Sequence, residues 1–391
     1  MQCTTVILDL DGTLLDTESL CLDVASTVLE QEGKVLTNEA AQVALGKKPL
    51  DCWRDVARVL NLSTPPEELL ERTEALLKER WSSTKRLPGA LRLVRHLARH
   101  SIPFAVASST PRQTFEAKMA GAAQQPLREL LKNVVCGDEV PRGKPAPDTF
   151  VAAAKLLGSP PPEQCLVLED SPAGAQAAKA AGMKVVGISS NGPGSAKQQL
   201  EALRDGEDAH SGLVDIVPSL LAFEPQRYGL PPFDDLIGGT IPMVDDPIYI
   251  KGEVVSGFGR GSKELGIPTA NVASEALRVA LSEAVTGIYA GFASVGSDPT
   301  PHKMVMSIGY NPFYGNTHKT AEPWILSEFP APFYGSQIRL VVCSYIRPEA
   351  NFTSLQALVD RIHEDANQSR RALDEPQLSS FKSDIFLKPE P

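Results

Sequence analysis

The feature that most constrains this chain is a short apolar segment that ends in two closely spaced aspartates. Residues Thr5 to Leu8 are apolar or β-branched and predict a buried strand, and Gly12 turns the chain shortly afterwards. Asp9 and Asp11 therefore follow the carboxyl end of a strand, where open α/β sheets bind ligands. Two neighbouring carboxylates are costly to bury unless a cation or a proton compensates them. The pattern predicts an α/β domain with a metal-assisted phosphoryl-transfer site.

Three later segments also place polar residues directly after strands or between chain breakers. In chain order they are the strand 104–107 followed by Ser108, the loop 142–148 containing Lys144, and the strand 165–168 followed by Glu169 and Asp170. The order Asp, Ser, Lys, Asp resembles the four-motif pattern of haloacid-dehalogenase-like hydrolases. The resemblance covers about residues 4–222 and implies a Rossmann-like α/β domain.

The resemblance implies hydrolysis of a phosphate monoester through an aspartyl-phosphate. Asp9 would attack phosphorus, and Asp11 would protonate the leaving oxygen and then activate water. Ser108 and Lys144 would bind the phosphoryl oxygens. Mg²⁺ would be held by Asp9, the backbone carbonyl of Asp11 and Asp170, with the neighbouring glutamate close by.

Residues 17–87 show helical periodicity and predict a small helical cap over this site. Such a cap selects the substrate and excludes water. Mutases of the family resemble the chain, but they carry a histidine early in the first cap helix. Leu20 and Cys21 occupy that neighbourhood here, and the first histidine of the chain is His96. We therefore favour a phosphatase over a mutase.

The second half of the chain has a different texture, with short β-rich runs separated by glycines. An alternating strand at 248–255 leads into a glycine-rich segment that includes Gly257 and Lys263. Glycines let backbone amides approach a phosphate closely, and the lysine adds positive charge. The spacing is not that of a Walker motif.

This glycine-rich segment and the run Gly266 to Asn271 that follows it resemble the nucleotide-binding segment of riboflavin kinases. Further landmarks of that family follow in order at 287–289, 307–314, Glu322, 333–335 and 345–349. The resemblance spans about residues 246–388. It implies a small antiparallel β-barrel with a C-terminal helix at about 354–373.

The same resemblance implies roles for individual residues. Thr269 and Asn271 would bind Mg²⁺, and Glu322 would take the proton from the ribityl hydroxyl of the flavin. The residues implied in binding ATP are Gly257, Lys263, Thr269, Gly315, Thr317 and Thr320. Those implied in binding the flavin are Leu340, Cys343, Tyr345 and Arg347. Many family members follow the glutamate with one residue and then a histidine, whereas this chain has Pro323 and Trp324. The fixed φ of Pro323 presets the strand that carries the glutamate.

Together the two halves resemble the bifunctional riboflavin kinase and FMN phosphatase proteins of plants and algae. The resemblance implies that the second domain makes FMN from riboflavin and ATP, and that the first removes the phosphate from FMN. The preference for FMN rests on the fusion alone. A sugar-phosphate phosphatase and an inactive regulatory module therefore stay open as alternatives for the first domain. A kinase fused to an FAD synthetase would need a HxGH-like motif, which the sequence lacks.

Composition is consistent with soluble enzyme domains acting on small molecules. The 391 residues include 48 acidic and 38 basic side chains, which disfavours binding to nucleic acid or anionic membranes. The six cysteines are scattered and predict reduced thiols in a cytoplasmic protein. We expect a phosphatase domain at 1–222, a breaker-rich linker at 223–245 and a kinase domain at 246–391, with riboflavin, FMN and ATP as partners.

Overall fold

The computed structural model describes residues 2–44, 49–189, 196–205, 212–255, 267–273, 277, 280–281, 284–310 and 319–389. The chain divides into two compact units, Met1–Pro232 and Phe233–Pro391. The domain limits expected from the sequence differ slightly from this division and stay predictions.

A parallel sheet forms the centre of the first unit. The strands of this unit are β1 Thr5–Leu8, β2 Leu15–Asp16, β3 Lys85–Arg86, β4 Phe104–Ala107, β5 Val134–Val135, β6 Cys165–Glu169, β7 Lys184–Ile188 and β8 Leu213–Val217. Six of them pair in parallel in the order β5-β4-β1-β6-β7-β8. The four residues of β1 are fully buried, as expected for a central strand covered on both faces.

Ten α-helices are described in the first unit. They are α1 Thr17–Gln31, α2 Asn38–Ala44, α3 Pro49–Leu60, α4 Pro66–Arg80, α5 Ala90–Arg99, α6 Arg112–Met119, α7 Gln125–Leu130, α8 Asp148–Leu156, α9 Pro172–Ala180 and α10 Lys197–Asp205. One face of the sheet, including Ile7 and Val167, packs against Phe150 of α8 and Ala177 of α9. Burial of these apolar side chains ties the helices to the sheet.

Helices α1 to α4 form a cap with an apolar core of its own. Val28 of α1, Trp53 and Val56 of α3 and Leu69 of α4 belong to this core. The short antiparallel pair β2–β3 connects the two ends of the cap to the sheet domain. A 3-10 helix, Trp81–Ser83, follows α4 directly.

An antiparallel barrel forms the second unit. Its strands are β9 Ile241–Pro242, β10 Ile248–Val255, β11 Asn271–Val272, β12 Gly287–Val295, β13 His302–Tyr310, β14 Lys319–Ile325 and β15 Gln337–Arg347. They pair in the order β11-β10-β15-β12-β13-β14, and β9 pairs with β15. The backbone N–H of Ala270 donates to the carbonyl of Pro323, 2.9 Å away, so that the two edges of the sheet meet. The fold class predicted from the sequence is confirmed for both units.

A long helix covers the outside of the barrel. Helix α11, Leu355–Ala372, and the short α12, Pro376–Ser379, follow the last strand. Ala366 and Ala372 of α11 pack with Phe292 and Val341 of the sheet. The helix begins with an N-cap in which the Ser354 hydroxyl accepts from the backbone N–H three residues later.

The breaker-rich stretch before the barrel contains ordered structure on both sides of the division between the units. On the first unit, the buried ring of Tyr228 stacks on Phe223, and its hydroxyl donates to Asp215 at 2.8 Å. On the second, Ile241 and Pro242 form strand β9. The two ends of this stretch are therefore packed against their own units, although its composition is that of a linker.

Two further observations concern the cysteines and the length and polarity of the helices. All six cysteines lie within the described residues, and none of them forms a disulfide. No helix among the described residues is both long enough and apolar enough to cross a membrane.

An ion-pair network joins the barrel to α11 and gives a test of the second unit's stability. The guanidinium of Arg347 donates to the buried carboxylate of Asp365 at 2.6 Å, and Arg361 donates to it at 2.9 Å. Replacing Asp365 with alanine leaves two guanidinium groups without their acceptor. We expect Asp365→Ala to lower the free energy of unfolding by about 3 kcal/mol.

Urea unfolding of the full chain, followed by circular dichroism, measures this loss. Asp360→Ala is the matched control, because Asp360 lies on the same helix at the protein surface. Equal stabilities of the two variants would contradict the prediction.

Candidate active sites

The first candidate site lies where the central strands of the parallel sheet end. Strand β1 delivers Asp9 directly and Asp11 two residues later, while the adjacent β6 delivers Glu169 and Asp170. Because neighbouring parallel strands end at one edge of the sheet, these four acids converge. The carboxylate oxygens of Asp9, Glu169 and Asp170 lie within 4.8 Å of one another.

A buried lysine lies between these acids. The Lys144 ammonium donates to Asp9 Oδ1 at 2.5 Å and to Glu169 Oε2 at 2.7 Å, and it lies over the ring of Phe150. Burial by itself lowers the pKa of Lys144, but the two carboxylates outweigh this effect and raise it above its ordinary value. The lysine is therefore a fixed positive charge at physiological pH.

The acids outnumber the cationic side chain that compensates them. Burial, followed by the neighbouring charge of Glu169, raises the pKa values of Asp9 and Asp170 above their ordinary range. Three buried or half-buried carboxylates against one ammonium leave excess negative charge. A donor set of clustered carboxylate oxygens with such an excess is suited to a hard divalent cation such as Mg²⁺.

The two acids of β6 have different surroundings. Glu169 Oε1 accepts from the backbone N–H and hydroxyl of Ser171, while its other oxygen accepts from Lys144. Asp170 Oδ1 accepts from the Thr13 hydroxyl at 3.3 Å. A Cβ built on Gly12 would overlap the Asp170 carboxyl group. Glu169 therefore orients Lys144 through a hydrogen bond, whereas Asp170 lies against the turn at Gly12 that follows β1.

Ser108 and two residues that the sequence analysis did not single out surround Asp11. The Ser108 hydroxyl is buried, accepts from the backbone N–H of Thr110, and lies 3.5 Å from Asp11 Oδ2. The Thr110 hydroxyl donates to the same oxygen at 2.5 Å. The ammonium of Lys118 donates to Asp11 Oδ1 at 2.6 Å. Both oxygens of Asp11 are thus held by side chains of the sheet domain.

Lys118 could have been noticed from the helical pattern. In α6 the buried side chains are Phe115, Lys118 and Met119, which follow the i, i+3, i+4 spacing of an apolar face. A lysine on the buried face of such a helix indicates that another group in the protein interior pairs with its charge. The sequence contains this signal, but it does not identify Asp11 as that partner.

The second candidate site lies where the edges of the barrel meet. The hydrogen bond from Ala270 to Pro323 brings the segment of Thr269 and Asn271 beside Glu322 of β14. Since Pro323 has no N–H of its own, only its carbonyl can take part in closing the barrel here. The residues predicted to bind Mg²⁺ and to act as the base therefore lie on neighbouring segments.

Most of the residues predicted to contact ATP fall outside the described part of the chain. These are Gly257, Lys263, Gly315 and Thr317. Thr320 is described, and its hydroxyl donates to the backbone carbonyl of Gly309 at 3.4 Å.

The residues predicted to contact the flavin all lie on β15. Leu340, Cys343 and Tyr345 are buried, and Cys343 belongs to the apolar core beneath α11. The rings of Tyr345 and Tyr289 pack edge to face at a centroid distance of 5.1 Å. The side chain of Arg347 is engaged with Asp365 on α11, as described above.

Comparison with known proteins extends these observations to the whole chain. Two family models match, riboflavin kinase at residues 244–373 and haloacid dehalogenase-like hydrolase at residues 3–182. The bifunctional riboflavin kinase/FMN phosphatase of Arabidopsis thaliana is 40% identical over 98% of this chain and 96% of its own length. Human riboflavin kinase is 44% identical over 36% of this chain and 91% of its own length. The (DL)-glycerol-3-phosphatase 2 of Arabidopsis thaliana is 34% identical over 59% of this chain and 93% of its own length.

One relative thus matches the chain almost from end to end, and the two family models match in the order of the two structural units. The chain belongs to the family of bifunctional riboflavin kinase/FMN phosphatases.

Proposed function

We propose that this protein catalyses two opposing reactions on one flavin. The second unit phosphorylates riboflavin with ATP to give FMN and ADP, and the first unit hydrolyses FMN to riboflavin and phosphate. The observation that carries the proposal for the first unit is the buried cluster of Lys144 with Asp9, Glu169 and Asp170 at the end of the sheet. The choice of FMN as its substrate rests on the similarity to the bifunctional relative.

In the first unit Asp9 is the nucleophile. Its carboxylate oxygen forms a bond to phosphorus as the ester bond breaks, and Asp11 gives its proton to the departing oxygen. In the second step Asp11 takes a proton from water, which attacks phosphorus and releases Asp9 and inorganic phosphate. Lys144 neutralises the nucleophile and the phosphoryl oxygens, and Ser108 donates a hydrogen bond to one of those oxygens.

The acidic cluster of the first unit is suited to Mg²⁺. Asp9, the backbone carbonyl of Asp11 and Asp170 would hold it, while Glu169 orients Lys144 beside it. When bound, the ion supplies positive charge that offsets the charge of the phosphoryl group.

In the second unit Glu322 is the base. It removes the proton from the ribityl hydroxyl as that oxygen attacks the terminal phosphorus of ATP. Thr269 and Asn271 offer hard oxygen donors for a second Mg²⁺, which would neutralise the ATP phosphates. Gly257, Lys263, Gly315, Thr317 and Thr320 are proposed to bind ATP, and Leu340, Cys343, Tyr345 and Arg347 the flavin.

The cellular setting follows from the same chemistry. Riboflavin, FMN and ATP are proposed as the partners, and the cytoplasm as the compartment. The six cysteines, none of them in a disulfide and several of them buried, favour a reducing environment.

A smaller phosphate ester is the second candidate substrate for the first unit. The similarity to a glycerol-3-phosphatase over 59% of the chain favours it. Measuring kcat/KM of the full chain for FMN and for glycerol 3-phosphate decides between the two. A large preference for glycerol 3-phosphate would overturn the FMN assignment and leave the aspartyl-phosphate chemistry in place.

Asp9→Asn tests the nucleophile. An amide oxygen does not form the phosphoryl-enzyme bond, so we expect FMN hydrolysis by the full chain to fall to background. Riboflavin kinase activity is the internal control, and it should persist because Asp9 and Glu322 belong to separate units. Phosphatase activity close to that of the wild type would remove Asp9 from its role, and loss of both activities would mean that the units are coupled.

Gly12→Ala tests the proposed metal site. The added Cβ would overlap Asp170, and the φ of Gly12 is +87°, where alanine is strained. We expect FMN hydrolysis to fall at least ~10-fold and to need a higher Mg²⁺ concentration, because a displaced ligand weakens metal binding. The measurement is the initial rate as a function of Mg²⁺ concentration.

Gly33→Ala is the matched control for that variant. Gly33 also has a positive φ, +68°, but a Cβ there meets no atom within 4 Å. It should share the strain of roughly 1–2 kcal/mol without the effect on hydrolysis. An equal loss of activity in both variants would assign the effect to stability and not to Asp170.

Glu322→Gln tests the kinase base. We expect kcat for riboflavin phosphorylation to fall by roughly 10²–10⁴, the usual contribution of general-base catalysis. Steady-state assays of the full chain with riboflavin and ATP measure it, and Glu328→Gln, at an exposed position, is the control. An unchanged rate in Glu322→Gln would exclude Glu322 as the base.

A further inference from the structure

Lys118 is a second buried lysine at the phosphatase site. It is not part of the four-motif pattern of the hydrolase family, whose lysine here is Lys144. The side chain of Lys118 is 5% exposed. The ammonium donates to Asp11 Oδ1 at 2.6 Å and to the Thr110 hydroxyl at 3.0 Å. Burying an ammonium is costly unless it is paired, so its pairing with Asp11 is a built feature of the site.

The pairing distinguishes the two oxygens of Asp11. An ammonium group has donors and no acceptor, so the oxygen that it binds has to act as an acceptor. That oxygen is Oδ1. The hydroxyls of Thr110 and Ser108 lie beside Oδ2 and, unlike an ammonium, can accept as well as donate, so Oδ2 is the oxygen that can carry the proton that Asp11 gives to a leaving group. Lys118 thus determines which oxygen of Asp11 is the proton donor.

The base of the cap holds Lys118 in this place. Its ammonium lies over the ring of Trp81, 4.6 Å from the centroid, in a cation–π contact. Trp81 belongs to the 3-10 helix that ends the cap, and the backbone of Ser82 lies against Gly121 so closely that a Cβ there would overlap it. The lysine is therefore fixed from helix α6, from the sheet domain and from the cap.

We propose that Lys118 is a positioning residue that orients the carboxyl group of Asp11 for protonation of the leaving oxygen. The proposal rests on the phosphatase function proposed above. As the bond between phosphorus and the ester oxygen breaks, Asp9 bonds to phosphorus and the Oδ2 proton moves to the ester oxygen. Asp11 becomes a carboxylate whose new charge faces the ammonium of Lys118, so the pairing strengthens as that charge develops.

The proposal predicts a dependence on the leaving group. An alkyl phosphate such as FMN departs as a poor leaving group and needs its oxygen protonated, whereas 4-nitrophenyl phosphate departs as a stabilised phenolate and needs this much less. A variant that misorients Asp11 therefore slows hydrolysis of FMN more than that of 4-nitrophenyl phosphate. A variant that only loosens the fold slows both equally.

The experiment compares full-length Lys118→Met, Asp11→Asn and the double variant with the wild type, in the presence of Mg²⁺. The readout is kcat/KM, which reports the steps up to cleavage of the ester, for FMN and for 4-nitrophenyl phosphate. Because both substrates are measured on one preparation, the ratio of the two values does not depend on the fraction of folded enzyme. Lys155→Met, at an exposed position of α8, is the matched control and should keep the wild-type ratio.

We expect Lys118→Met to lower the ratio of FMN to 4-nitrophenyl phosphate by ~10-fold and Asp11→Asn to lower it by roughly 10². In the Asp11→Asn background the lysine substitution should change the ratio no further, because residues that act as one unit are not additive. An unchanged ratio in Lys118→Met, or an additional independent effect in the double variant, would overturn the proposal.

Two outcomes concern the proposed function separately. If the wild type does not hydrolyse FMN, the FMN assignment fails, and glycerol 3-phosphate serves as the alkyl ester that still decides the role of Lys118. If Asp11→Asn keeps the wild-type ratio, Asp11 is not the proton donor, and the role of Lys118 falls with it.

Discussion

The ammonium of Lys144, buried between Asp9 and Glu169, is the interaction on which the phosphatase site depends. The pairing of β1 with β6 brings acids to the same edge of the sheet, where burial makes their mutual repulsion costly. One ammonium compensates part of this charge and fixes the geometry of both carboxylates. Removing the lysine would leave an uncompensated acidic cluster, so the fold of this edge and its chemistry rely on the same contact.

The charge that Lys144 does not compensate explains why the site is suited to a metal. The raised pKa values of Asp9 and Asp170 show that protons are bound more readily there than in water. A cation has to compete with those protons, and its binding strengthens as the pH rises. Hydrogen bonds from Lys144 and Ser171 engage both oxygens of Glu169, so this side chain holds the lysine in place.

Local sequence patterns predicted several strands, because the formation of a strand depends largely on neighbouring residues. Apolar runs bounded by breakers identified the strands at Thr5–Leu8 and Phe104–Ala107, and alternation identified the one at Ile248–Val255. The order of motifs along the chain identified the acids and Lys144 as candidates for one site. The convergence of Asp9, Glu169 and Asp170 within 4.8 Å, however, depends on the pairing order of the sheet, which no single segment encodes.

The contacts of Asp11 depend on tertiary structure and could not be read from the sequence. Lys118 lies 107 residues further along the chain, and its pairing depends on how α6 packs beside the sheet. The packing of the breaker-rich stretch also depends on tertiary contacts, since Tyr228 is held by Asp215 and Phe223. Composition indicates where a chain can bend, but not whether the bend is then buried.

The two units meet the same chemical requirement with different scaffolds. Transfer of a phosphoryl group requires positive charge at its oxygens and a group that moves one proton. In the first unit these groups follow parallel strands, and Asp9, a residue of the protein itself, is proposed as the nucleophile. In the second, Glu322 lies on an edge strand that Pro323 joins to the segment of Thr269, and the substrate's own hydroxyl is proposed as the nucleophile.

A covalent intermediate on the protein lets water be the final acceptor in the first unit, whereas direct transfer to a bound hydroxyl keeps the phosphoryl group on the flavin in the second. The two proposed reactions differ in their phosphoryl donor and acceptor: ATP gives its terminal phosphoryl group to a bound hydroxyl in the second unit, and FMN gives its phosphoryl group to water in the first.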